Sequence, residues 1–155
     1  MLNLFFNHKN NKMSELEILN YHQLAFVANA IYLLSFTVLV FITFRLVRFQ
    51  KEANSNIFGK VLVSLFGLCT AFYGYTIFSF TYNLQLGQAY RLSEIKANGA
   101  ELSTVTDSFI EFIGYSTSDG WPPSFSPEPA ALIFIVTFCV MIIAGTWMNL
   151  SNNKS

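Results

Sequence analysis

The chain has 155 residues, 53% of them hydrophobic, 17% aromatic and 12% charged, with nine basic and nine acidic side chains. Soluble domains carry about 25% charged residues, so this composition argues for lipid as the main solvent, and the balanced charge excludes a global field that would draw in nucleic acid. The length allows one small bundle and no second domain.

The chain opens with an apolar piece, Met1–Phe6, followed by a polar one, Asn7–Lys12. That is the reverse of the order in a signal peptide. Residues 1–13 are expected as a flexible tail, and Met13 offers a second plausible start. Ser14 with Glu17 three residues on matches a capping box, in which each side chain satisfies a free amide of the other. It opens a first helix expected over 15–49. Inside it, Leu24–Phe44 contains no ionisable side chain and meets the roughly 20 residues needed to cross a hydrocarbon core about 30 Å thick. Tyr21 and His22 precede this stretch, while Arg45, Arg48 and Lys51 follow it. Asn29 is its one amide, expected to hydrogen-bond a neighbouring helix.

Glu52–Asn56 is a short polar connection, so the next helix returns antiparallel. It is expected over 57–98, entered at Lys60, with Val61–Leu86 free of ionisable groups. Ser64, Gly67, Ala71 and Gly74 are spaced three, four and three. That spacing stacks small side chains on one face and lets another backbone approach closely. Gly99 is a suitable terminator. An outer loop over 99–129 then holds a short amphipathic helix near 105–114. Thr106 is its candidate cap, and Phe109, Ile110, Phe112 and Ile113 form its apolar side. These four, with Trp121 in the Trp-Pro-Pro run, are the expected contacts with a partner or the headgroup region. Ser126-Pro127-Glu128-Pro129 supplies a cap, a first-turn proline and an acid for a third helix over 130–149. Its apolar part is Ala130–Met148, and a polar tail, Asn149–Ser155, follows.

Lipid offers the backbone no hydrogen bonds, so apolar stretches of this kind cross as helices. The expected fold is therefore an all-α integral membrane protein: a single domain of three transmembrane helices, with a short amphipathic segment between the second and third. Cys69 and Cys139 fall near the middle of two spans and read as buried apolar fillers. Arg45, Arg48, Lys51 and Lys60 flank a short loop and read as topology anchors facing the cytoplasm. The N-terminus is then outside and the C-terminus inside, with Lys154 in agreement and Lys9 and Lys12 pulling the other way. The expected location is a bacterial inner membrane or its equivalent.

Little here carries chemistry. The three apolar stretches lack Asp, Glu, Lys, Arg and His, whereas ion-coupled transport normally leaves such groups in the spans. His8 and His22 are the two histidines and form no spaced ligand set. His22 is the weak candidate for touching a pigment or haem. No nucleophile elbow, phosphate-cradling loop or basic patch is present. No cofactor, metal or catalytic residue is expected of this chain. The functional expectation is a non-catalytic integral subunit that packs into and stabilises a larger membrane assembly, with lipid and other subunits, homo- or hetero-oligomeric, as partners. The alternatives are a self-assembling, holin-like or channel-forming protein, and an accessory subunit that contacts a cofactor in an electron-transfer or other membrane enzyme complex.

Overall fold

A computed structural model describes residues 13–123 and 125–148. The expected tails at 1–12 and 149–155, with His8, Lys9, Lys12 and Lys154, lie outside the described residues. The described elements are all helical: α1 (Glu15–Glu52), α2 (Ile57–Ala97), α3 (Thr104–Ile113), a 3-10 turn (Thr117–Asp119) and α4 (Pro129–Trp147). Three of them, α1, α2 and α4, are long and apolar enough to cross a membrane. The 19 residues of α4 rise about 28 Å, close to the thickness of a hydrocarbon core. The other two, at 38 and 41 residues, are far longer.

The helix ends follow local chemistry. The Ser14 N–H donates to Glu17 Oε2 at 2.8 Å, and Ser14 Oγ accepts from the Glu17 N–H at 3.3 Å. This is the reciprocal cap that opens α1. Its far end runs to Glu52, past the expected Phe49, with Glu52 accepting from Arg48 Nε one turn back at 2.7 Å. Asn54 then takes φ 48, and Asn56 Oδ1 caps α2 by accepting from the Gly59 N–H at 3.0 Å. Gly99, at φ 89, closes α2. Its N–H donates to the Lys96 carbonyl, and the Ala100 N–H reaches Ile95 O, which satisfies carbonyls the helix would leave free.

Two expected caps are corrected. Ser103, not Thr106, caps α3, its Oγ accepting from the Thr106 N–H at 3.3 Å. Ser126 does not cap α4. The N-cap is Glu128, which makes no side-chain cap bond, and Pro129 follows in the first turn. Proline's fixed φ and missing N–H suit that position without a cap.

Contacts group into two compact units, where length alone suggests one bundle. An acidic unit comprises Met1–Ala25 with Leu84–Pro122, and an apolar unit comprises Phe26–Asn83 with Pro123–Ser155. In the apolar unit, Ala71, Ile135, Phe138 and Ile142 form a buried cluster against which Val40, Phe44, Tyr75, Phe78 and Cys139 pack. Aromatic edges organise it: Phe36 meets Phe78 at 5.7 Å and Phe134 at 6.2 Å between centroids, and Phe44 meets Phe138 at 5.6 Å. Cys139 is half-buried, but Cys69 is exposed, and both thiols are free. Cys69 therefore does not fill the core. In the acidic unit the early turns of α1 and the late turns of α2 bury Ile18, Ala89 and Leu92. The 3-10 turn is tied to α2 by the Thr117 N–H, which donates to Ser93 Oγ at 2.9 Å.

Candidate functional site

The small-residue face of α2 is occupied from within the apolar unit. Ser64 Oγ accepts from Trp147 Nε1 of α4 at 3.0 Å. A Cβ at Gly67 would lie 2.8 Å from Ile142 Cδ1, and one at Gly74 would lie 2.5 Å from Phe36 Cε2. Ala71, between them, is in the buried cluster. The face thus seats α4 through its first three members and α1 through Gly74. Two polar rungs also join α1 to α2. Asn29 Nδ2 donates to Thr81 Oγ1, and the hydroxyls of Thr43 and Thr70 approach to 3.4 Å. Where water is scarce such bonds hold helices together, by about 0.6 kcal/mol on average.

In the acidic unit the α3 segment is clasped at its start. The Glu15 carboxylate of α1 accepts from the hydroxyls of Thr106 and Ser103 and from the Ser103 N–H. These bonds, led by the Thr106 hydroxyl, hold its carboxyl below the ordinary value of 4.5, because each favours the ionised form. Lys96 Nζ, at the end of α2, reaches Asp107 Oδ1 at 2.7 Å. Sequence reasoning missed Glu15. In the sequence it reads only as an acid in a first turn, and its partners lie 88 and 91 residues away.

The clasp turns one side of α3 inward. Phe109, Ile110 and Ile113 are half-buried, whereas Phe112 is 85% exposed, as is Val105 at 80%. The latter was not among the expected contact residues, because it lies at the polar start of the helix. Trp121 is 67% exposed. Its ring meets Tyr90 edge-on at 5.2 Å, with the Arg91 guanidinium 5.5 Å from its centroid.

His22 is only 3% exposed. With the proton on Nδ1, it donates to the Ile18 carbonyl at 2.8 Å. A Cβ on Gly87 would stand 3.9 Å from Nε2, so the imidazole lies against the α2 backbone. Among the described residues no group of three or more His, Cys, Asp or Glu side chains could hold a metal ion. Of the basic anchors, Arg48 pairs with Glu52 on the surface at 2.7 Å. The Lys60 ammonium lies 5.9 Å from the Trp147 ring centroid. Arg45 and Lys51 form no ion pair among the described residues.

No family model, curated protein or solved structure matches the chain.

Proposed function

We propose that this chain is an integral membrane subunit that crosses the bilayer three times, carries no reaction centre of its own and binds another subunit through its acidic unit. The observation that carries the reading is the outward side of α3, where Val105 and Phe112 stand exposed. Water-exposed apolar patches of this kind mark contact sites. Support also comes from the apolar unit, whose small-residue face and polar rungs are used to pack its own three helices. The chain is thereby a pre-assembled module rather than a set of helices awaiting partners. We place Arg45, Arg48, Lys51 and Lys60 on the cytoplasmic side, since basic residues in short flanks are retained there. That puts the N-terminus outside and the C-terminus inside a bacterial inner membrane or its equivalent.

Native gel electrophoresis of mild-detergent extracts tests the proposal. The wild-type chain should migrate in a complex well above its own 17.6 kDa. V105D/F112D should release it while leaving it membrane-bound. A wild-type chain running as a lone monomer refutes the subunit reading.

A further inference from the structure

Leu34, Val38, Phe41, Arg45 and Arg48 of α1 are exposed and follow one another at intervals of three or four residues. That spacing places them on one continuous stripe of the helix. Two concave features lie along it. Near one end Arg45, Arg48, Phe49 and Glu52 line a groove of about 190 Å³. Further along, Leu34, Ser35, Val38 and Leu39, with Tyr73 of α2, line a larger, open apolar groove of about 470 Å³. At 1.5 Å per residue, Val38 lies about 10 Å and Leu34 about 16 Å from Arg45 along the helix axis. An acyl chain reaches about half of the ~30 Å hydrocarbon thickness, so the separation fits one tail.

The charges specify the head. Arg45 has no ion-pair partner among the described residues, and a guanidinium fork matches two phosphate oxygens. Arg48 gives its Nε to Glu52, which leaves its terminal nitrogens available. The groove therefore holds two cations and one carboxylate. Its single net positive charge favours a phosphodiester whose charge is not cancelled by a choline or ethanolamine.

We propose that this stripe binds one anionic glycerophospholipid, with its phosphate on Arg45 and Arg48 and one acyl chain lying along Phe41 and Val38 into the open groove beside Tyr73. The site rests on the membrane placement proposed above. Native mass spectrometry of the full chain in mild detergent tests it with dioleoylphosphatidylglycerol against dioleoylphosphatidylcholine. The anionic lipid should be retained preferentially, and R45Q and R48Q should each weaken that retention about fivefold. V38W puts a bulky ring into the apolar groove without touching a charge and should also weaken retention of the lipid.

Equal retention of the two lipids by the wild-type chain overturns the proposal, and that measurement needs no variant to fold. An anionic preference unchanged in R45Q/R48Q overturns it as well, as does displacement of the lipid by an equal concentration of glycerol 3-phosphate, which reveals a site for free phosphate alone. Unchanged retention in V38W removes the tail's part. Carbonate extraction of membranes separates the two readings. A chain released by carbonate fails the membrane placement itself, whereas an integral chain without lipid preference fails this proposal only.

Discussion

Replacing Gly74 by alanine adds one methyl group at the tightest point of the apolar unit. Its Cβ would lie 2.5 and 2.6 Å from two ring carbons of Phe36, well inside van der Waals contact. The ring is buried and held edge-on by Phe78 and Phe134, so it has no free direction in which to retreat. Overpacking of this kind costs about 1–3 kcal/mol. Alanine also gains about 0.8–1.0 kcal/mol of helix propensity over glycine, which hides part of the cost. Gly87, on the same helix, supplies the correction. A Cβ there meets only His22 Nε2, at 3.9 Å, which is ordinary contact, so G87A keeps the propensity gain without the clash. The difference between the two variants should then be about 1–3 kcal/mol, or roughly 2–12 °C in Tm for a chain of this size. Thermal unfolding followed by circular dichroism in a mild detergent measures both. If G74A melts at or above G87A, the close approach of Phe36 to the α2 backbone is wrong.

Other expectations follow from the same contacts. T81V removes the acceptor of Asn29 and should destabilise by about 0.5–1.5 kcal/mol. S79A should be neutral or stabilising, because the Ser79 hydroxyl is buried without a partner among the described residues; a larger loss in S79A than in T81V contradicts this. Placing leucine at Gly67 should weaken packing by at least about 1 kcal/mol, since Ile142 already fills that space, and normal thermal stability of G67L argues otherwise. The Glu15 carboxyl is held below its ordinary value. Its folded form therefore binds the proton less readily than its unfolded form, and the clasp contributes stability that is complete above about pH 4.5 and lost as pH falls through the folded value. Amide exchange in α3 should accelerate on that acidification in the wild type and be fast at every pH in E15A. Pre-existing fast exchange at neutral pH in the wild type speaks against the clasp. Aspartate at Leu68 should cost roughly 2.5–3.5 kcal/mol of insertion free energy, readable as reduced membrane integration of L68D.

Much of the secondary structure was legible in the sequence because it depends on near neighbours. The charge-free runs, the Ser14–Glu17 pair, Gly99 and Pro129 each act within a few residues of their own position. What escaped was decided at long range. Ser103 and Thr106 are both reasonable caps by type. The choice between them is linked to the Glu15 carboxylate, which draws both hydroxyls toward α1. The outward direction of Cys69 was likewise invisible, because a helix that is apolar all round gives no periodic signal to separate its packed side from its open one. Asn29, a lone amide in an apolar run, announces its need for a neighbouring helix and has Thr81 as its partner. The partner's identity needed coordinates. The small-residue face of α2 was visible as a spacing, but the spacing did not say that Phe36 and Ile142 would be the groups seated on it.

The Glu15 bonds also impose an order of events on synthesis. Ser103 follows Glu15 by 88 residues, and a ribosome adding about 5–20 residues per second needs roughly 5–20 s to make that stretch. During that interval the carboxylate is without the groups that will later hold it. A nascent chain arrested before Thr106 carries the start of α1 with its fastening undone. The first turn of α1 is therefore made well before the groups that secure it.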